Sequence, residues 1–302
     1  MKLQRIRKTI IAHHLLKTNM FRRSFNDELI EQLLKSDLYV HRISKDIRTG
    51  DVFPAIRTER MDFYHKGRKL FTFDKDGFKT HIKYASVYKS KDDYVSESKI
   101  MGLERITSFV DGYARIKENC SLYSGSESAG VADIYSRYSY VISRSSAVVL
   151  DIEVSLKSLD PSKKQDRIDI LLLDKNKKRL IFCEAKNFLN KEIWPPKGTS
   201  PEVANQIRRY EEQIKSKGNN ILEQYRYYID SVREIFPIID LPYPDSICPS
   251  VLLMVFGFDR DQLSGKRFND LFKSNLPENI MYYAIGDISG LKIESVFKKC
   301  NL

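Results

Sequence analysis

The stretch RIDILLLDKNKKRLIFCEAK, residues 167–186, decides the fold of this chain because it combines two apolar runs with a polar turn. The runs 168–173 and 180–185 have the length and composition of buried strands. The polar residues 175–178 between them are typical of a tight turn. The sequence therefore predicts an antiparallel hairpin here.

Three charged residues lie on these otherwise apolar strands: Asp169 on the first, and Glu184 and Lys186 on the second. If Asn176 and Lys177 form the tip of the turn, Asp169 faces Glu184 with Cβ atoms about 5 Å apart. Lys186 shares a strand face with Glu184. Two carboxylates so close repel by roughly 3 kcal/mol at an effective dielectric constant near 20. One lysine offsets only one of them, so the spacing predicts a divalent cation and a phosphate substrate.

The whole chain is basic, with 302 residues and a formal net charge of +11. This balance favours a polyanionic partner, and we expect nucleic acid, DNA before RNA. No apolar run has the length of a membrane span, and no secretory signal is evident. The four cysteines are scattered without a CxxC pair, which gives no zinc site and indicates a reducing cytosol. The expected location is therefore cytoplasmic.

Residues 1–98 form a basic region in which both helix and strand patterns occur. Residues 1–60 are expected to be mostly helical, with an amphipathic helix over 25–34. Residues 69–85 predict a hairpin, and 88–98 a linker. This pattern is equally compatible with a specificity or partner module, which could mediate homo-oligomer or protein contacts, and with the alternative that follows. The alternative is an elaboration packed on the second region.

Residues 99–302 show a more regular alternation of helix and strand patterns. The expected elements are helices over 100–118 and 131–142 with a loop at 121–130, a strand over 148–156, the hairpin, a helix from 201 interrupted at 218–220, a strand over 250–258, a helix over 265–273 and a strand over 279–285. This order predicts an α/β fold with a central mixed sheet flanked by helices.

Asp169 and the triplet Glu184-Ala185-Lys186, on consecutive strands, resemble the PD-(D/E)xK nuclease superfamily, although Ile168 stands where the motif has proline. The helix after the second strand carries Gln206 and Tyr210, which share one helix face at this spacing. That pair is similar to the QxxxY motif of the RecB-like branch. The resemblance implies a restriction-endonuclease-like core.

In that family, the matching residues hold Mg²⁺ or Mn²⁺, so the resemblance implies Asp169, Glu184 and the backbone carbonyl of Ala185 as metal ligands. Lys186 would orient or help to deprotonate the attacking water and stabilise charge on the phosphate. Gln206 and Tyr210 would hold the substrate backbone or the metal ligands.

Many members of the superfamily carry a further acid, for which this chain offers three candidates. Glu104 lies on a predicted helix, Glu127 in the predicted Ser/Gly loop and Glu153 on the strand before the hairpin. Glu104 ranks first because its helix pattern is the clearest.

Further basic residues could contact phosphate groups. Arg208 and Arg209 flank the QxxxY pair on its helix. The turn lysines Lys175, Lys177 and Lys178 suit a solvated hairpin tip first and a DNA contact second.

The predicted function is thus a metal-dependent hydrolase of phosphodiester bonds, a deoxyribonuclease in phage defence, restriction or repair. The alternative is a catalytically silent nucleic-acid-binding or protein-interaction module on the same fold. In that case the three charges on the hairpin would be a structural ion-pair cluster.

Overall fold

The computed structural model describes residues 23–85, 93–100, 107–156, 166–196 and 198–299. Glu104, the first choice for the further acid, lies outside these ranges, as does the basic segment before residue 23. In the described part of the chain, no helix is long and apolar enough to cross a membrane.

The first helix in the described residues, α1 (Asp27–Lys35), has the amphipathic pattern that the sequence predicts but begins two residues later than expected. The Asn26 side chain accepts a hydrogen bond from the backbone N–H of Leu29 and so caps the helix. A π-helical segment, Tyr39–Ile43, then leads into α2 (Ser44–Thr49).

A five-stranded antiparallel sheet follows, in the order β1-β2-β3-β4-β5. Its strands are β1 (Phe53–Arg57), β2 (Arg60–His65), β3 (Arg68–Asp74), β4 (Gly77–His81) and β5 (Tyr94–Ser96), and the short helices α3 (Ile82–Ala85) and α4 (Glu97–Ile100) flank β5 in the chain. The predicted hairpin over 69–85 is confirmed at β3 and β4, except that residues 82–85 form α3 instead of continuing the second strand.

Two expectations for this region are wrong. The segment of β1, expected to be helical, is a strand, and β5 is a strand inside the expected linker. Every residue of β1 is buried, so the segment lacks the alternation that marks a half-buried strand. At three residues, β5 is too short to show a pattern at all.

Helix α5 (Phe109–Ser121) follows residue 98 in the chain but packs on this first sheet. The Phe71 ring of β3 lies 5.2 Å from the Phe109 ring and 6.1 Å from the Tyr113 ring, measured between centroids. The five-stranded sheet therefore has a covering helix drawn from beyond the predicted linker.

The second sheet is mixed, in the order β11-β10-β8-β7-β6, with β9 paired to β8. Its strands are β6 (Ala147–Leu156), β7 (Asp166–Asp174), β8 (Arg179–Asn187), β9 (Ser246–Ile247), β10 (Leu252–Phe256) and β11 (Tyr282–Ile285). The first three run antiparallel, whereas β8, β10 and β11 run parallel. The chain is thus mixed α/β, with two sheets flanked by helices.

The predicted hairpin is present as β7 and β8, and its register is the one that the sequence predicts. Ile170 pairs with Cys183, and Asp174 pairs with Arg179. The Asp174 carboxylate accepts hydrogen bonds from the backbone N–H groups of Asn176 and Lys177, at 3.0 Å each. This local turn fixes which residues of the two strands face each other.

Helix α6 (Ser126–Tyr138) and the 34-residue helix α7 (Glu202–Ile235) accompany the second sheet. The expected interruption of α7 at 218–220 is wrong. Buried residues continue on both sides of it, at Ile214 and Ile221, so packing outweighs the unfavourable helix propensity of Gly218.

The chain ends with shorter elements beside the parallel strands. They are a 3₁₀ turn at Lys191–Ile193, α8 (Arg260–Ser264), a π-helical segment at Arg267–Lys273, a 3₁₀ turn at Ile288–Gly290 and α9 (Ile293–Lys298). Cys120 and Cys183 are buried free thiols, whereas Cys248 is disulfide-bonded, which differs from the expectation of reduced cysteines.

A buried charge cluster joins the two sheets around Asp151 of β6, which is 0% exposed. Its Oδ2 atom accepts hydrogen bonds from Arg23 at 2.5 Å and from the Tyr225 hydroxyl at 2.9 Å. Its Oδ1 atom accepts from Arg57 at 2.7 Å and from the backbone N–H of Ile152 at 2.8 Å. Both carboxylate oxygens accept two hydrogen bonds each, so this cluster, which was not predicted from the sequence, has a structural role in joining the two sheets.

Candidate functional site

Asp169 and Glu184 lie together where β7 and β8 leave the paired part of the hairpin. Continuing the ladder by one residue beyond Ile170 and Cys183 places Asp169 level with Glu184. The backbone N–H of Ala185 donates a hydrogen bond of 2.8 Å to Asp169 Oδ2. The two carboxylates are therefore on one face of the sheet, as the sequence predicts.

Lys186 lies on the same face and links two acids. Its Nζ atom is 2.9 Å from Glu184 Oε1 and 2.7 Å from Glu192 Oε2. Glu192 is held by a 3₁₀ turn directly after β8, where the Asn190 side chain accepts from the Glu192 backbone N–H. Glu192 was not among the residues expected from the sequence, where its signal is an acid close behind the Glu-Ala-Lys triplet.

One oxygen of Glu184 has no hydrogen-bond partner among the described residues. The residue is only 1% exposed, and its Oε2 atom is buried and unpaired, whereas Oε1 contacts Lys186. An unpaired buried carboxylate oxygen costs on the order of 1–3 kcal/mol or more. A hard divalent cation, which prefers carboxylate oxygens, would remove this cost, so the residues present fit such an ion.

Burial raises the pKa of Asp169 to about 7, against the Ala185 hydrogen bond and the charge of Lys186, which lower it. Burial, followed by the charge of Asp169, raises the pKa of Glu184 well above its usual range. Burial works against the charged form of Lys186, but Glu184 and Glu192 outweigh it and raise the pKa of the ammonium. Lys186 therefore neutralises only part of the negative charge that Asp169, Glu184 and Glu192 carry when they are ionised.

Glu127 and Glu153 approach this cluster from two sides, and the charge of each raises the pKa of Asp169. Glu127 lies in the first turn of α6, so its expected loop position is wrong. Its Oε1 atom accepts hydrogen bonds from the Asn187 backbone N–H, at 3.3 Å, and from the Asn190 side chain.

Glu153 lies on β6, level with Asp169, because Ile152 pairs with Ile170 and Val154 pairs with Ile168. Its φ of +51° is in the left-handed region, which costs a non-glycine residue about 1 kcal/mol or more. Its carboxylate forms an ion pair of 2.8 Å with Arg167.

Across the described ranges, no group of three or more His, Cys, Asp or Glu side chains is arranged to hold a metal ion. A cation at this site would therefore rely on Asp169 and Glu184. The assignment of the Ala185 carbonyl as a ligand stays a prediction.

Gln206 and Tyr210 lie against β7, close to Asp169 along the strand. The Gln206 amide donates a hydrogen bond of 2.6 Å to the Tyr210 hydroxyl, which donates one of 2.8 Å to the Arg167 carbonyl. Arg167 precedes Asp169 by two residues, so the pair fixes the strand that carries the first acid. Tyr210 is buried.

The other basic residues expected to bind nucleic acid are not brought to this cluster. Arg208 and Arg209 are exposed on α7. The turn lysines Lys175, Lys177 and Lys178 lie at the far end of the hairpin, about 20 Å along the strand from Asp169 at the usual rise per residue.

No protein-family model matches this sequence, and searches of curated proteins and of solved structures find no match either.

Proposed function

We propose that this protein is a metal-dependent nuclease whose active centre is formed by Asp169, Glu184 and Lys186. The observation that carries the proposal is the buried Oε2 atom of Glu184, which has no partner in the part of the chain that the structure describes, beside a second carboxylate whose pKa burial raises to about 7. A structural ion pair would have used both oxygens, as Asp151 does. An unsatisfied pair of acids suits a site that binds a cation.

Asp169 and Glu184 would hold Mg²⁺ or Mn²⁺. When bound, the ion supplies a water of lowered pKa and polarises the phosphate. The carboxylates must be ionised to hold the metal ion. Burial favours their protonated forms, so metal binding has to overcome this preference.

Lys186 would stabilise the negative charge that develops on the phosphate during cleavage. Because its pKa is raised, it stays protonated at neutral pH and serves as a cation instead of a base. Glu192 and Glu184 hold the ammonium in place between them. Tyr210 positions Asp169 indirectly, through its hydrogen bond to the strand at Arg167.

DNA is the proposed substrate, supported by the formal charge of +11. A hairpin that carries the acids, followed by a strand parallel to β8, supports a restriction-endonuclease-like core. A cytoplasmic role in phage defence, restriction or repair belongs to the same proposal and rests on the resemblance.

Cleavage assays test the proposal. Wild-type protein and Lys186→Ala are incubated with linear, circular and single-stranded DNA and with RNA, in Mg²⁺, in Mn²⁺ and in EDTA. We expect metal-dependent cleavage by wild type that is abolished in EDTA and in the variant. No cleavage of any substrate, or equal cleavage by both proteins, would refute it.

A second candidate is a nucleic-acid-binding module without catalysis. It is favoured by the lack, in the described part of the chain, of a third acid arranged with the other two. Such a module would bind DNA with a steep dependence on salt concentration and cleave none of the substrates.

A further inference from the structure

Two adjoining clefts lie where the first sheet meets the second, next to the acids. Their volumes are about 290 Å³ and about 470 Å³, and both are lined by Tyr64, Lys69, Glu153 and Arg167. We call the two together the junction cleft.

The junction cleft is strongly basic. Seven arginine or lysine side chains and two carboxylates line it: Arg23, Arg57, Arg60, Arg68, Lys69, Lys83 and Arg167, with Asp62 and Glu153. Asp151 also binds Arg23 and Arg57, but three carboxylates for seven cations still leave positive charge in excess. Arg57, Arg60 and Lys69 all lie within 4.0 Å of the Asp62 carboxylate.

The pKa of Lys69 reflects this excess of positive charge. Burial lowers its pKa, and the neighbouring charges of Arg60, Arg57 and Arg167 lower it further, against the charge of Asp62. An anion among these side chains would relieve the repulsion between them.

Two tyrosine rings in the junction cleft lie beside cations. The Lys69 ammonium lies 4.9 Å from the centroid of the Tyr94 ring, and the Lys83 ammonium lies 5.4 Å from that of Tyr123. Tyr94 is half-buried, and Tyr123 is 45% exposed. Solvent-accessible aromatic rings beside cations are the combination on which unpaired bases stack while their phosphates are neutralised.

The junction cleft leads to the proposed active centre. Arg167, on its wall, precedes Asp169 by two residues on β7, so both side chains are on the same strand face about 7 Å apart along the strand. Glu153, also on the wall, is level with Asp169 on the neighbouring strand. A chain of phosphates in the cleft would therefore run toward Asp169.

We propose that the junction cleft binds a single-stranded segment of DNA and directs its backbone to Asp169 and Glu184. The proposal names the substrate of the centre described above, and to that extent it rests on the proposed function. Pockets of several hundred Å³ enclose one small organic molecule, a size that admits one or two nucleotides and excludes a duplex. In a duplex the bases are stacked on each other, so the tyrosine faces would have nothing to contact.

Binding of a fluorescein-labelled oligothymidine, followed by anisotropy in EDTA, tests this without cleavage. Tyr94→Leu and Tyr123→Leu, which remove a flat ring, should each weaken binding by about tenfold, whereas Tyr94→Phe and Tyr123→Phe should bind as wild type does. Lys83→Gln should reduce the slope of log K against log salt by about 0.7. Lys298→Gln on α9, an exposed lysine away from the cleft, is the matched control and should change neither quantity.

Equal binding by the leucine and phenylalanine variants would overturn the proposal, as would tighter binding of a blunt duplex than of the oligothymidine. The cleavage assay separates this result from failure of the proposed function. If wild type cleaves DNA but the leucine variants bind normally, only the junction cleft proposal fails. If the leucine variants lose binding but wild type cleaves nothing, the cleft proposal stands as a binding site and the nuclease proposal fails.

Discussion

Two clusters of buried charge lie on the second sheet, and they are satisfied to very different degrees. Asp151 has four donors for its two oxygens, including Arg23 and Arg57, although Asp62 also lies 3.7 Å from Arg57. Among the described residues, Asp169 and Glu184 lie beside each other, share Lys186 and leave one buried oxygen without a hydrogen-bond partner. In both clusters the acids lie on strands that are otherwise mostly apolar.

The difference separates a structural role from a chemical one. A buried carboxylate whose oxygens are all paired with donors holds the elements that supply those donors. A buried carboxylate pair with too few donors destabilises the fold by itself and is expected where a ligand completes it. On this basis Asp151 joins the two sheets, and Asp169 with Glu184 forms the proposed active centre.

The same substitution in both clusters should give opposite effects on stability. Asp151→Asn leaves Arg23 and Arg57 buried without their carboxylate and should lower the free energy of unfolding by about 3–5 kcal/mol. Asp169→Asn removes repulsion and should leave this free energy unchanged or raise it. Urea unfolding in EDTA measures both, and equal losses would show that the two clusters play the same part.

Catalytic activity, unlike stability, should depend strongly on the acids of the proposed active centre. Glu184→Gln keeps the shape of the side chain but removes the charge, and we expect cleavage to fall by about 10²–10³-fold, or about 3–4 kcal/mol. Initial rates of DNA cleavage in Mn²⁺ give the comparison. A variant that unfolds as wild type does and still cleaves at the wild-type rate would contradict the assignment.

Without a divalent cation, stability should fall as pH rises from about 4 to about 7. Burial raises the pKa of Asp169 in the folded protein to about 7, above its unfolded value near 3.9, so the folded state binds the extra proton in this window. The full pKa shift of Asp169 would apply to the free energy of unfolding only if its carboxyl were completely shielded from water. Because Asp169 is partly exposed, we halve the free energy that corresponds to this shift, which gives an effect on the order of 2 kcal/mol. Urea unfolding across this range, with Asp169→Asn as the control, measures it, and an unchanged slope in the variant would contradict it.

Removal of one hydroxyl should give the smallest effect. Tyr210→Phe loses the hydrogen bond to the Arg167 carbonyl and should lower the free energy of unfolding by about 1 kcal/mol. Tyr283→Phe on β11 is the matched control and should change it little. Cleavage should fall only modestly, since Tyr210 acts on the strand of Asp169 and not on the phosphate. A loss as large as that of Glu184→Gln would place Tyr210 in the chemistry itself.

The hairpin was predictable because its signals are local. Asp174 fixes the turn by accepting two hydrogen bonds from backbone N–H groups. The geometry of this turn then sets the register of Asp169 and Glu184. Contacts between distant segments were not predictable. Arg23 and Asp151 are 128 positions apart, and no local pattern in either segment predicts their contact.

The same limit explains the other errors. Gly218 has a weak helix propensity, but the buried residues around it depend on the sheet that α7 covers. The choice among acids failed in a similar way, because Glu127 reaches the cluster only through the packing of α6 beside β8. Local patterns therefore gave the pair of acids, and tertiary packing decided which side chains surround them.

Calorimetric titration of Mn²⁺ into the wild-type protein and into Glu184→Gln tests the central claim most directly. If the unsatisfied acids form a cation site, wild type binds one ion, releases protons on binding, and binds more tightly as pH rises through about 7, the value to which burial raises the pKa of Asp169. The variant should lose this binding while keeping its fold. Saturable binding that is the same in both proteins, or none in wild type at any pH, would contradict the account.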